Sequence, residues 1–143
     1  MKSFEFKSQV ATSKEQSKRL LELGLKKETA DMEIEIFKGD NTISGYVSKG
    51  YWENEISDAL IELIPAWSLG RLIKDLMPQS IGHLELAVGS NYAGYYEDKY
   101  DSKLGMHWEY AEETPDMFNN IISTIEWLIK EDYFNKDYLE EKK

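Results

Sequence analysis

GHLELAV (Gly82–Val88) and GMHWEY (Gly105–Tyr110) are the stretches on which the fold turns. In the first, Leu84, Leu86 and Val88 alternate with His83, Glu85 and Ala87; in the second, Met106, Trp108 and Tyr110 alternate with His107 and Glu109. A period of two sends successive side chains to opposite faces, so each stretch predicts a β-strand with one apolar and one wetter face. Ser90 to Lys103, between them, is rich in Tyr, Gly and Asp, and Tyr95 to Tyr100 supplies a candidate third strand.

Working outward, Met32, Ile34 and Ile36 alternate with Glu33 and Glu35, Gly39-Asp40-Asn41 reads as a turn, and Ile43 to Val47 returns, which makes a β-hairpin. Phe4-Glu5-Phe6 alternates too and reads as a short strand. Ile56 to Ile64 fits two patterns. Ile56, Leu60 and Ile64 form a helical stripe, while the Leu60-Ile61 and Leu63-Ile64 pairs suit a buried strand; a short helix interrupted by Pro65 is the expectation.

The helices announce themselves through their caps. Thr12 and Ser13, each followed three residues on by Glu15 or Gln16, form two overlapping capping boxes that open a helix near Lys14 to Leu23, which Gly24 ends. Ser68 opens another, Leu69 to Met77, stopped by Pro78, with Trp67 placed to staple against Leu72 or Ile73. Thr114-Pro115-Asp116 offers an N-cap, a proline at the first helical position and an acid in the first turn. The helix it opens, Pro115 to about Lys130, carries Phe118, Ile121, Ile122, Ile125, Leu128 and Ile129 at three- and four-residue spacings and is the expected main core helix. Asn135 to Lys143 reads as a final frayed turn. Strands and helices mix without βαβ alternation, which predicts an α+β fold: a mainly antiparallel sheet covered on one face by helices, with a C-terminal core helix at about 115–130. The 143 residues suit a single compact domain, 1–143.

Composition narrows the function. A chain with 41% hydrophobic and 13% aromatic residues has the material for a packed core. Its 17 Lys and Arg against 27 Asp and Glu give a net charge of −10, which repels a phosphate backbone and argues against nucleic acid as a partner, although Lys14, Lys18, Arg19, Lys26 and Lys27 form a local basic group. With no cysteine, disulfides, thiol nucleophiles and cysteine-held zinc or iron–sulfur centres are excluded. Met1 to Val10 lacks the apolar core of a signal peptide, and no run approaches the ~18 apolar residues of a membrane span, so a cytoplasmic location without membrane contact is expected. No Gly-x-x-x-x-Gly-Lys loop, Gly-x-Gly-x-x-Gly loop or Gly-x-Ser-x-Gly elbow is present, and Ser68 lacks the surroundings of a nucleophile. No catalytic motif and no cofactor site is expected.

Three segments, TSKEQSKRLLELGLKKETADM (Thr12–Met32), IPAWSLGRLIKDLMP (Ile64–Pro78) and WLIKEDYFNKDYL (Trp127–Leu139), resemble in wording, order and spacing a family of small uncharacterised proteins from phages, prophages and mobile elements of Bacteroidetes-type bacteria. The resemblance covers about a third of the chain, outside the middle region. It implies an accessory protein and attaches no activity to it.

Two residue groups remain as candidates. Tyr92, Tyr95, Tyr96, Tyr100, Trp108 and Tyr110 combine large apolar faces with polar handles, the chemistry of a binding surface for a protein partner or a second copy of the chain; the alternative is that they pack a sheet. Glu97, Asp98 and Asp101 among them disfavour a phosphate-bearing ligand and suit a protein or cationic partner. The second group is His83, Glu85, His107 and Glu109. If their strands paired, the four could hold a divalent metal and activate a water for hydrolysis; the alternative is a solvent-facing polar row. The function expected is that of a non-enzymatic interaction protein. A binder of a nucleotide-like small ligand, with Arg71 or Lys99 beside the tyrosines, is the alternative, and a metal-assisted hydrolase the remote one.

Overall fold

Two antiparallel sheets and two α-helices build the part of the chain that the computed structural model describes, residues 8–37, 43–49, 60–98 and 106–141. In order these are α1 (Lys14–Glu22), β1 (Met32–Phe37), β2 (Ile43–Ser48), β3 (Leu60–Ala66), β4 (Ser80–Ile81), β5 (Leu84–Gly89), β6 (Tyr92–Asp98), β7 (Met106–Glu112) and α2 (Met117–Lys130). The small sheet runs β2-β1-β3 and the large one β4-β5-β6-β7, so the fold is α+β, with its antiparallel strands divided between two sheets.

The capping box forms on Ser13. Its hydroxyl accepts from Gln16 N at 3.2 Å, and Gln16 Oε1 accepts from Ser13 N at 3.0 Å. Gly24, at φ 104, ends the α1 turn in a conformation that costs other residues a clash. At the head of α2 the cap falls on Asp116, whose carboxylate accepts from Asn119 N at 3.1 Å, and not on Thr114. Thr114 is occupied elsewhere: its hydroxyl donates to Asn120 Oδ1 at 2.6 Å, and Asn120 Nδ2 donates back to Thr114 O at 2.8 Å, which satisfies a fully buried amide.

β3 corrects the helix expected over Ile56 to Ile64; residues 56–59 lie outside the described residues, as do Phe4-Glu5-Phe6 and the Gly39-Asp40-Asn41 turn. The central strand β1 leaves a hydrogen-bonding edge that Leu60–Ala66 fills in antiparallel register, with Ile34 opposite Ile64 and Glu33 opposite Pro65. Pro65 therefore sits inside a strand and does not end a helix. An edge strand admits proline where the missing N–H faces away from the ladder. The helix expected over Leu69 to Met77 is present but is wound as a π-helix from Arg71 to Leu76. Met77 N donates to Leu72 O, five residues back, at 2.9 Å. Leu72, Leu76 and Met77, all at most 4% exposed, are spaced by four and five residues, a spacing that suits the wider turn.

Two apolar clusters lie on either side of the Ala66–Trp67 peptide. Ala11, Ile34, Ile36, Ile64 and Ala66 form one; Trp67 enters the other, with Leu20, Leu72, Ile121, Ile125 and Leu128. Trp67 is fully buried; its indole N–H donates to Thr29 Oγ1 at 2.9 Å, and its backbone N–H donates to Thr12 Oγ1 at 3.0 Å. Ser68 follows, with its N–H and its hydroxyl both donating to the Asp31 carboxylate at 2.9 and 2.5 Å, while its Oγ accepts from Arg71 N at 3.2 Å as a cap. Trp67 is thus fixed by this knot and shares the main core with Leu72 and Ile73.

The C-terminal segment is pinned, not frayed, through residue 140. A 3₁₀ turn at Lys136–Tyr138 leads to Leu139, which bridges Leu25, and Glu140 N donates to Gly24 O at 2.7 Å. Trp67→Ala is expected to lower the unfolding free energy by ~3–5 kcal/mol through the cavity it leaves, and Thr12→Val by ~1–3 kcal/mol through orphaned donors; urea denaturation of the two variants measures both losses.

Candidate functional site

The aromatic group divides between the faces of the large sheet. Cross-strand partners share a face, and β6 pairs with both neighbours: Leu86 with Tyr95 and Tyr95 with Tyr110 on one side, Glu85 with Tyr96 and Tyr96 with Trp108 on the other. The first face lies under α2. Tyr95 is fully buried, and its hydroxyl donates to Pro78 O at 2.7 Å. Tyr110 stacks on Trp127 of α2 with ring centres 5.0 Å apart and planes 12° from parallel. Both tyrosines are therefore core and groove residues.

A one-residue bulge decides the other half. Tyr95 opposes Tyr110 and the next residue, Tyr96, opposes Trp108, so Glu109 is an extra residue in β7. Alternation alone would put Trp108 and Tyr110 on one face; the bulge turns Trp108 outward. There it meets Tyr92 at 5.9 Å and 70° and Tyr96 at 5.8 Å and 61°, both edge-to-face contacts. Tyr92 is 38% exposed, and no helix among the described residues packs on this face. The outward trio Tyr92, Tyr96 and Trp108 is the candidate site. Tyr100 and Lys99 lie outside the described residues.

The floor beneath the trio has little side chain. Ala87, Gly94 and Ala111 lie in one cross-strand row, and a Cβ on Gly94 would sit 2.1 Å from Tyr110 O and 2.8 Å from Ala111 Cα, so only glycine fits there. Tyr92 lies against Gly89, where a Cβ would come within 2.2 Å of its ring. Glu85 flanks the rings, accepting from Tyr96 Oη at 3.2 Å, and Glu109 is exposed at the bulge beside Trp108.

The arrangement that a metal would need does not form. β5 and β7 are not neighbours; β6 stands between them, which separates their backbones by roughly 10 Å, whereas two imidazoles sharing a zinc ion need nitrogens within ~4 Å of each other. His83 is exposed in the turn between β4 and β5, Glu85 is on the outer face, and His107 occupies the register position opposite Glu97 on the α2 side. Among the described residues no three His, Asp or Glu side chains gather as metal ligands. Arg71 does not join a tyrosine pocket either; its Nη1 donates to Asp75 Oδ2 at 3.1 Å.

Two residues with displaced titration, Tyr110 and Glu126, line the groove between β7 and α2, about 270 Å³ in volume, together with Glu112, Ser123, Trp127 and Lys130. Burial, reinforced by the hydrogen bond to Glu112, pushes Tyr110 up to about 12. The Arg19 hydrogen bond holds the Glu126 carboxyl below its ordinary value, against an opposing push from burial and with help from Lys130. Arg19 reaches across from α1 to Ser123 Oγ at 3.1 Å and Glu126 Oε2 at 2.9 Å, so this cluster ties the helices together. Of its members only Tyr110 is a candidate site residue in the sequence, because charged side chains such as Arg19, Glu126 and Lys130 have the pattern of ordinary solvated helix positions.

Comparison with family models, curated proteins and solved structures finds no match to this chain.

Deletion of Glu109 leaves Trp108 and Tyr110 adjacent on opposite faces of a regular ladder, so Trp108 should keep its outer-face position opposite Tyr96; the expected result is an unchanged tryptophan emission maximum and a change in unfolding free energy of no more than ~1 kcal/mol, read from the urea midpoint. The folded-state pKa of Tyr110 is raised above its unfolded value. Its stabilising contribution is therefore complete below pH ~10 and is lost as pH rises from there towards about 12. The stability curve of Tyr110→Phe should be flatter than wild type across that window, as denaturant titrations at stepped pH would record.

Proposed function

We propose that the chain is a non-enzymatic interaction protein that binds another protein through the outer face of the large sheet. The observation that carries this reading is the outward turn of Trp108 at the Glu109 bulge, which joins it to Tyr92 and Tyr96 on a face that no described helix covers. Aromatic side chains clustered near the centre of an exposed surface are the residue types that dominate binding energy at protein interfaces. A regular strand would have turned this tryptophan towards α2; instead it stands half-buried on the opposite face. The accessory role implied by the resemblance to phage and mobile-element proteins is compatible with a protein that acts by occupying a partner and carries no chemistry of its own.

Affinity capture followed by mass spectrometry tests the reading, with the wild-type chain compared against Trp108→Ala and Tyr92→Ala, each first shown to unfold at the wild-type midpoint. Tyr133→Ala, an exposed tyrosine that packs on Trp127, serves as control. A protein held by wild type and Tyr133→Ala but lost by at least ~10-fold from both face variants, the scale of a hot-spot truncation, is expected. Equal retention by all four chains, or no retained protein, overturns the proposal.

A further inference from the structure

Resting on that reading, we infer that the partner meets this face with an arginine-bearing segment, whose guanidinium lies on the Trp108 cluster between the Glu85 and Glu109 carboxylates. Glu85 stands in the same cross-strand row as Tyr96 and Trp108, and the bond from Tyr96 Oη at 3.2 Å keeps its carboxylate beside the rings. Glu109 is the bulged residue next to Trp108 in the chain and is exposed. No outer-face strand position among the described residues carries a lysine or arginine.

Ring geometry adds to the charge. Trp108 meets its two tyrosines at 70° and 61°, so the three rings stand at steep angles and do not bury one another in a flat stack. The negative π face of an aromatic ring attracts a cation, tryptophan most strongly. A planar, weakly hydrated guanidinium can stack there and still donate in-plane hydrogen bonds to a carboxylate, which a strongly hydrated ammonium does less well. Beneath the rings the described floor is the row Ala87, Gly94 and Ala111, and at Gly94 even a methyl group would collide with the Tyr110 carbonyl oxygen at 2.1 Å.

A second copy of the chain is the wrong occupant on electrostatic grounds. A two-fold interface sets the same patch against itself, which would bring Glu85 and Glu109 against their own equivalents. The net charge of −10 adds repulsion between whole molecules.

The test is a titration of isotope-labelled full-length protein with octa-arginine and, separately, octa-lysine, at ~0.15 M salt so that distant charges are screened. The expected result is amide shifts centred on Tyr92, Tyr96 and Trp108, with octa-arginine binding ~2- to 5-fold more tightly than octa-lysine. Trp108→Ala, which leaves the charge unchanged, should abolish that preference, and Glu85→Gln with Glu109→Gln should weaken both peptides. Equal affinity for the two peptides, or an arginine preference that survives Trp108→Ala, overturns the inference. A concentration-dependent dimer in sedimentation that Trp108→Ala abolishes would identify a second copy as the occupant and also overturn it. If partner capture requires Trp108 while the peptides show no arginine preference, the surface stands and the arginine assignment falls; if capture is indifferent to Trp108, the surface itself falls.

Discussion

Thr12 grips the backbone of Trp67 from both sides. Its N–H donates to Trp67 O at 2.9 Å, and its hydroxyl accepts from Trp67 N at 3.0 Å, while the same hydroxyl lies 2.8 Å from Ser17 Oγ in α1. At this point the chain passes from the small-sheet cluster, which holds Ala66, to the main core, which holds Trp67. Thr12 is fully buried, so these bonds act without competing water, where a hydrogen bond is strong and an orphaned donor costly. The head of α1, the end of β3 and the head of the π-helix are thereby located relative to one another. Each partner in such a knot depends on the rest, so losses from substituting several of them will not add.

From Trp67 the dependence runs outward to the binding face. The π-helix after it carries Leu72 and Leu76 into the main core, where the inner residues of the large sheet and α2 also pack. Trp127 of α2 then contacts Tyr95 at 5.7 Å and stacks on Tyr110 at 5.0 Å, which fixes the inner face of β6 and β7. With that face filled by two tyrosines and a tryptophan, the inner layer has its complement of large rings. The extra residue at Glu109 is the device that sends Trp108 the other way.

What could be read from the sequence was local. The Ser13–Gln16 capping box, the apolar stripe of α2 and the alternation of β1 and β5 each depend on residues within a turn or a strand of one another, and each is found in the structure. The errors share a different cause. Leu60–Ala66 is a strand because β1 has an edge to fill, a demand made by residues some thirty positions away. Thr114 yields the cap to Asp116 because buried Asn120 needs its hydroxyl. Of the candidate aromatics that are described, Tyr95 parts from Tyr92 and Tyr96 by simple alternation, whereas Trp108 parts from Tyr110 through a bulge that shifts parity without altering the alternating pattern on either side. The two His-x-Glu frames share a pattern but not a neighbourhood, because β6 lies between β5 and β7 and the pairing that a shared metal would require does not occur.

The strap formed by Tyr138, Leu139 and Glu140 closes on Gly24, Leu25 and Lys26, with Lys26 N donating to Tyr138 O at 2.9 Å. This contact joins opposite ends of the described chain. On a ribosome, residues 24–26 leave the exit tunnel long before residues 138–140 exist, so the loop after α1 must wait with Leu25, a core residue, lacking its cover. During synthesis the early helix and the small sheet can assemble on local contacts, but the main core stays open along that seam until the strap arrives. The core is therefore accessible to chaperones or proteases along that seam for as long as the intervening chain takes to be translated.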